Sequence, residues 1–430
     1  LRLLAIDELE ARVEKLVAGG DGLVRFEGIP IFVPRSAPGD LLRLRVVERR
    51  PSFGRAEIVE ILEPGQGRRT PPCPHFERCG GCDLQHLEDR LQLRLKAETV
   101  RENLLRLGGI EMPSQVTVVP GDPWAYRLRA QLHLAETDRG LEAGYFERRS
   151  HDLVPVDSCP ILVPELEREL PDLGRRVGDT THRRLDVAAG DDGTWTCQPR
   201  VAELPGDPVS MRVGKLVFQY DAGCFFQTHR QLLPKLVEHA LARPADAAPA
   251  AAEGTDEADG VAYDLFAGVG LFSLPLCRRF RQVVALEGDR AAARFARRNA
   301  RLNGISNLTV ESQAIETWIE NLPAGAALVV ADPPRVGLSP VVRAALLVRR
   351  PRRLTYVSCD SATLARDLKD LKDGFRIVSL ALLDMFPQTG HMEVVVHLEA
   401  RGEDAEPPAE ANAEAAADAA AAEDPKVSSE

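Results

Sequence analysis

The tightest constraint on how this chain can fold is the stretch Val261-Ala262-Tyr263-Asp264-Leu265-Phe266-Ala267-Gly268-Val269-Gly270. An apolar run of strand length stops at a glycine loop, and a helix-like segment begins at Leu271. The pattern then repeats. Val283-Val284-Ala285-Leu286-Glu287 predicts a second strand, followed by a helix through Asn299, and residues 328–332, 354–358, 375–382 and 394–398 continue the series. Strands alternating with helices bury both faces of one sheet, which makes the fold class α/β, a doubly wound and largely parallel sheet. In such sheets reacting groups gather at the carboxyl ends of the strands, so strand-ending residues are the first candidates for function.

Glycines in the loop let the backbone approach a ligand closely. Glu287 lies 23 residues after Asp264, where a carboxylate can accept hydrogen bonds from both hydroxyls of a ribose. The third glycine of a dinucleotide fingerprint is replaced by Ser273. A nucleoside without phosphate therefore fits better than NAD, and S-adenosylmethionine is a ligand of that kind. Asp332-Pro333-Pro334-Arg335 follows a strand directly. Its prolines lack N–H groups and stiffen the turn, so the Asp332 carboxylate can face a base edge or the cofactor; a plain structural turn is the alternative.

Cys359 ends the run 354–358, and Glu393 opens the last strand after Gly390-His391-Met392. A free cysteine is usually a small buried hydrophobe. A thiolate and a carboxylate beside a methyl donor instead suggest covalent catalysis. Carbon 5 of uracil is too weak a nucleophile to attack a methyl sulfonium unless a thiolate first adds at carbon 6, and a base must afterwards remove the carbon 5 proton.

Upstream, residues 8–62 alternate apolar runs with Gly/Pro/Asp turns and predict a small all-β barrel of about five strands. Arg43, Arg45, Arg49, Arg50 and Arg55, with Phe53 among them, could supply phosphate contacts and a stacking ring, or form an ordinary solvated face. Cys73, Cys79 and Cys82 stand at C-x5-C-x2-C spacing, three quarters of an iron–sulfur or soft-metal site. Cys159 is the candidate fourth ligand; zinc is the rival, with His75 or His86 in place of the fourth thiol. Cys197, Cys224 and Cys277 have no partner spacing and read as packing residues. Leucines at helical spacing predict a helix over residues 84–107, stopped by Gly108-Gly109. Residues 115–220 read as strands and turns in which Tyr126-Arg127-Leu128-Arg129 and Gly144-Tyr145-Phe146 could face RNA or simply cover a sheet.

The 430 residues imply two or three domains. The net charge of −11 argues against nucleic acid only superficially. Two Ala/Pro/acid-rich segments, 244–260 and 401–430, carry −12 between them and leave the body at +1. These segments are expected to be a linker insertion and a disordered acidic tail. No apolar run is long enough for a membrane helix and no secretory signal is evident, so a soluble cytoplasmic protein is expected.

In order and spacing, residues 8–62 resemble the TRAM domain, a small RNA-binding barrel. Together with the cysteine pattern, Phe225-Phe226-Gln227, residues 264–270, Asp332-Pro333-Pro334-Arg335, Ser358-Cys359-Asp360 and His391-Met392-Glu393, the chain resembles the RNA (uracil-5-)-methyltransferase family over about residues 8–400. It looks most like the branch acting on 23S ribosomal RNA, which carries the cluster cysteines. The resemblance implies a Rossmann-like, S-adenosylmethionine-dependent methyltransferase domain (221–400), an N-terminal TRAM-like, OB-type barrel (1–63) and a central α+β iron–sulfur domain (70–220). It implies Cys359 as nucleophile, Glu393 as general base, and Gln227, Phe266, Glu287 and Asp332 at the S-adenosylmethionine site. A 4Fe-4S cluster would be held by Cys73, Cys79, Cys82 and Cys159, the partner would be structured RNA, and a monomer is expected. The chain departs from the family pattern at Thr228-His229, where a small apolar residue and Asn are usual. It departs again at Ser312-Gln313-Ala314, where many relatives carry an acid, and at Leu128, often Asn.

Overall fold

The computed structural model of the chain describes residues 6–113, 116–178, 182–243 and 255–402. Eight strands form the sheet that carries the site. In chain order they are β1 (Thr117–Val119), β2 (Val261–Leu265), β3 (Gln282–Leu286), β4 (Leu308–Glu311), β5 (Leu328–Ala331), β6 (Arg353–Ser358), β7 (Phe375–Leu383) and β8 (Glu393–Ala400). Across the sheet the order is β4-β3-β2-β5-β6-β8-β7-β1. Strands β2 to β6 pair in parallel, while β8 runs antiparallel between β6 and β7. Because helices and the central sheet cover both faces, β5 is buried along its whole length and β2 and β6 nearly so. Hence their largely apolar sequences. Strand order reverses between β2 and β5, and that switch point opens a crevice at their carboxyl ends.

The sequence reading did not assign two of these strands to the sheet. Leu308–Glu311 is short and interleaved with polar residues, and Thr117–Val119 joins the far edge of the sheet by parallel pairing with β7. Both owe their strand state to distant partners. The predicted helix also starts later than expected, spanning Asp89–Gly108 and closed by Gly109 at φ +62°. Leu84 and Leu87 precede it and are buried with Leu16 and Ala37 beneath the N-terminal sheet. The helix lies along Ser361–Leu371, where a Cβ at Gly108 would come within 3.0 Å of the Ala365 carbonyl.

The N-terminal region is a six-stranded sheet built from Glu8–Arg12, Lys15–Leu16, Gly22–Phe26, Ile29–Val33, Leu41–Arg49 and Gly54–Glu63. It is wrapped around Leu9, Val13, Val24, Ile31, Val33, Leu42, Leu44 and Val46. Its arginines lie on the wet face, each beside an acid. Arg43 pairs with Glu10 and Glu60, Arg45 with Glu8, Arg49 with Asp7, Arg50 with Glu48, and Arg55 with Glu48 and Asp21. Neighbouring strands present alternating acids and bases on the wet face, and opposite charges pair across them. Arg55 also lies over the rings of Phe53 and Phe32, at 5.6 and 5.7 Å.

A five-stranded antiparallel sheet fills the centre: Leu153–Pro155, Gly140–Phe146, Arg129–Thr137, Arg184–Ala189 and Trp195–Gln198, in spatial order. Its core is continuous with that of the eight-stranded sheet, since Tyr126, Leu128, Phe226, Val357 and Val395 belong to one buried cluster. Tyr126 and Leu128 thus face inward and cannot meet RNA, whereas Arg127 and Arg129 line the cavity described below. Cys197, Cys224 and Cys277 are buried in the same cluster, as expected of packing residues. Part of the presumed linker insertion is anchored: Thr255–Ala258 is a helical turn, and Glu257 pairs with Arg279 and Arg353 at 2.8 and 2.9 Å. Residues 244–254 and the acidic tail from 403 lie outside the described residues. Among the described residues no helix is long and apolar enough to cross a membrane.

Candidate active site

At the carboxyl ends of β2, β5 and β6 lies a cavity of about 690 Å³. Gln227, Phe266, Glu287, Asp332, Cys359 and Glu393 all line it. The chain spans 167 residues between the first and last of these, and the sheet topology brings them together.

Phe266 follows β2 with φ +66°, a conformation that costs a bulky residue energy and commonly persists at functional sites. Gly268 and Gly270 follow at φ +55° and +96°. Glu287 accepts the N–H of Gly268 at 2.7 Å and that of Asp289 at 2.6 Å, so it braces the loop while its remaining lone pairs stay available to a ligand. Asn299 ties the loop to the preceding hairpin through the carbonyls of Val269 and Gln219, at 3.0 and 3.1 Å. Beneath the loop, Asp264 is fully buried and accepts the Ser273 hydroxyl; burial pushes its carboxyl up to about 7.

On the next strand, Asp332 accepts a hydrogen bond from the Gln227 amide at 3.1 Å. Burial pushes the Asp332 carboxyl up to about 7, against that hydrogen bond. His229, where the family pattern has Asn, turns away from the cavity and stacks on Tyr126 with ring centroids 4.6 Å apart.

Strand register explains the meeting of Cys359 and Glu393. Ser358 pairs with Val394 in the antiparallel β6/β8 ladder, so the next residues outward, Cys359 and Glu393, face each other at a spacing of about 5 Å between α-carbons. Asp360 caps the helix Ser361–Leu371, accepting from the N–H groups of Ala362 and Thr363 at 3.0 and 2.9 Å. Cys359 thereby sits beside the positive end of that helix. Burial pushes its thiol up to about 12, helped by Glu393 and Asp332 and opposed by Arg335. Glu393 is held well above the usual carboxylate range by burial and then by Asp332, with Arg335 again opposing. Its Oε1 has no hydrogen-bond partner among the described residues.

Arg335 is the functional side chain that the sequence reading left without a role. It lines the cavity, and its charge favours the thiolate of Cys359; its only signal was its place in the Asp-Pro-Pro-Arg turn. At the cavity mouth, Phe225 is 64% exposed with the Arg129 guanidinium 6.0 Å from its ring centre, and Gln131, Arg184 and Asp186 continue the rim.

A second cavity of about 140 Å³ is lined by Cys73, Cys79, Cys82 and Cys159, all free thiols. Burial raises the titration of each. Among the described residues no three His, Cys, Asp or Glu side chains converge closely enough to hold a metal ion; the thiols surround a space instead. His75 lines the same space but turns Nε2 to Asp157 at 3.0 Å, and His86 is directed to the Ser36 carbonyl at 3.1 Å. Arg127 and Gln131 line both cavities and form the wall between them.

Comparison with known proteins places these features in a family. Residues 209–401 match the family described as tRNA (Uracil-5-)-methyltransferase. A 23S rRNA (uracil(1939)-C(5))-methyltransferase of Pectobacterium atrosepticum is 33% identical, covering 90% of this chain and 92% of its own. One from Alkalilimnicola ehrlichii is 31% identical, covering 94% and 99%. Among solved structures, the Pyrococcus abyssi tRNA (uracil-54, C5)-methyltransferase in complex with S-adenosyl-L-homocysteine superposes with a TM-score of 0.68 at 24% identity, over 91% of this chain and 100% of that one; this likeness concerns the fold. Identity of one third along nine tenths of both chains is common descent over the whole architecture, and the chain therefore belongs to the RNA (uracil-5-)-methyltransferase family, enzymes that methylate carbon 5 of uracil in RNA.

Proposed function

We propose that this protein transfers a methyl group from S-adenosylmethionine to carbon 5 of a uridine in ribosomal RNA, 23S rRNA being the substrate named for its relatives, through a covalent bond to Cys359. The observation that carries the reading is that Cys359 and Glu393, each one step beyond the Ser358/Val394 pair of β6 and β8, line the same cavity as the glycine loop.

When bound, S-adenosylmethionine supplies a methyl group on a positively charged sulfur, a cation that favours the charged forms of Cys359 and Glu393. Glu287 and Phe266 would hold its adenosine end, with Asp332 and Gln227 closer to the reacting centre. Arg335 and the amino end of the helix Ser361–Leu371 favour the thiolate of Cys359. The thiolate bonds to carbon 6 of uracil, and the electron pair of the 5,6 double bond moves to the carbonyl as an enolate. Carbon 5 of that enolate takes the methyl group with its own electron pair; the pair of the methyl–sulfonium bond would stay on the donor sulfur and neutralise it, while the Cys359–carbon 6 bond remains. Glu393 accepts the carbon 5 proton; the freed pair restores the double bond and expels the thiolate. The target base must be unstacked to reach the sulfur. Phe225 and Arg129 at the rim are placed to receive it or a neighbouring base.

The four thiols around their cavity fit a 4Fe-4S cluster better than zinc: ligands that ring a space suit a multi-atom group, and no convergent single-ion site exists among the described residues. Cys73, Cys79, Cys82 and Cys159 would hold it as thiolates, with Arg127 against the anionic assembly. Because burial keeps the empty thiols protonated, loading releases protons. The cluster takes no part in methyl transfer. The N-terminal sheet is read as the TRAM-like RNA-binding unit and the central region as the cluster domain.

RNA containing 5-fluorouridine tests the mechanism, because it lacks the removable proton and traps the adduct. The parent enzyme should form a complex stable to denaturation and Cys359→Ala none; equal trapping by Cys359→Ala refutes the nucleophile. Nucleoside analysis after reaction with 23S rRNA fragments and with tRNA should show 5-methyluridine in the former. Iron and sulfide analysis of anaerobically purified protein distinguishes the cluster from zinc.

A further inference from the structure

The loop between β7 and β8 leads directly to Glu393, yet it is held almost entirely by residues far upstream. Lys96 reaches Asp384 at 2.7 Å and the Phe386 carbonyl at 2.9 Å. The Tyr126 hydroxyl donates to the Pro387 carbonyl at 2.9 Å. Gln388, fully buried at φ +68°, exchanges amide hydrogen bonds with Gln92 at 2.9 and 3.1 Å.

Asp83 occupies the centre of this clamp. It follows Cys82, one of the thiols around the smaller cavity. The backbone N–H groups of Asp83 and Leu84 both donate to the Gln388 carbonyl at 2.9 Å. The Asp83 carboxylate accepts the N–H of Gly390 at 3.1 Å. It also binds Arg148, which simultaneously holds Asp21 of the N-terminal sheet at 2.8 Å. The pieces meet without slack: a Cβ at Gly20 would lie 2.9 Å from the Asp83 Cβ, and a Cβ at Gly390 would lie 2.6 Å from the backbone of Gly19 and Gly20. Gly390 stands three residues before Glu393, whose Oε1 has no hydrogen-bond partner of its own. The base is therefore aimed by the start of its strand, and Asp83 reaches the turn that sets that start.

We propose that Asp83 is a positioning residue for Glu393, joining the cysteine cavity and the N-terminal sheet to the turn that carries the base. This rests on the reading of Glu393 as the proton acceptor. Without Asp83 the carboxylate drifts, so addition and methyl transfer proceed while proton removal and release of Cys359 slow down.

The experiment compares Asp83→Ala, Asp83→Asn, Arg148→Met and Glu393→Gln in cluster-loaded enzyme on ordinary uridine RNA. Turnover in Asp83→Ala should fall about 10- to 100-fold, the usual range for lost supporting contacts, with KM for S-adenosylmethionine unchanged. A denaturation-stable RNA adduct should accumulate as in Glu393→Gln. Asp83→Asn keeps an oxygen for the Gly390 N–H and should recover most of the turnover. Arg148→Met loosens Asp83 from the far side and should give the same accumulation in weaker form, which keeps the test alive if Asp83→Ala does not fold. Hydrogen exchange of the peptide containing Gly390 should quicken in Asp83→Ala but not in Glu393→Gln, at unchanged iron content. Parental turnover and exchange in Asp83→Ala, or lost turnover without adduct, overturns the proposal. If Glu393→Gln itself accumulates no adduct, the base assignment fails instead, and the exchange data alone decide whether Asp83 holds the turn.

Discussion

Asp332→Asn should make the protein more stable near pH 8 while impairing catalysis. The carboxyl is half-buried in the cavity wall, and its titration midpoint is raised from 3.8 to about 7. At about 1.4 kcal/mol per pH unit, holding the charged form in the folded state costs about 4 kcal/mol above pH 7. The folded state binds more protons than the unfolded state between pH 3.8 and about 7, so stability falls as pH rises through that window. Asparagine keeps the oxygen that accepts from Gln227 and carries no charge. If the described chain melts as one unit, at roughly 2 cal/mol/K per residue, the gain corresponds to about 5 °C. Melting curves of parent and variant from pH 4 to pH 8 measure it. The difference should be largest at pH 8 and nearly vanish at pH 4, where the carboxyl is protonated in the folded state and increasingly so in the unfolded chain. A variant that melts at or below the parent at pH 8 refutes the claim that a buried charge is carried there.

Other consequences are as direct. Alkylation of Cys359 by iodoacetamide in the ligand-free protein should be slow at pH 7 and rise about tenfold per pH unit to pH 9, since a thiol pushed up to about 12 has little thiolate; peptide mass spectrometry reads the rate. Gly390→Ala should destabilise the protein by about 1 kcal/mol or more, because its Cβ meets the Gly19-Gly20 backbone, and limited proteolysis should then release the N-terminal sheet faster. Glu60→Lys frees Arg43 from one of its two acids and should strengthen RNA binding while steepening its salt dependence by about one to two charges. Cys159→Ser should lower iron content and leave free S-adenosylmethionine binding, measured by calorimetry, little changed, because Cys159 does not line the larger cavity.

Most of the eight-stranded sheet was legible because parallel strands covered on both faces must be largely apolar, and their ends are marked by abrupt polar residues. Glu287, Asp332 and Cys359 could be found that way, each by its position just past a strand. The cysteine set was likewise visible as local spacing plus one distant thiol. Orientation was not. Nothing in Tyr126-Arg127-Leu128-Arg129 says which residues face the core, and only packing against Phe226 and Val395 decided it. Nor did the sequence show that neighbouring strands bring Glu8, Glu10 and Glu60 alongside the arginines of the N-terminal sheet.

By itself, the sequence determined the kinds of element and the chemistry they carry, since burial and turn geometry act on neighbouring residues. Only the tertiary structure decided which groups meet. The β6/β8 register, ending at Ser358 and Val394, brings Cys359 and Glu393 together, burial beside Asp332 raises both of their titrations, and Asp83, next to Cys82, holds the turn at Gly390 that leads to Glu393. Those are products of long-range pairing and of a shared dry cavity, which no local pattern encodes.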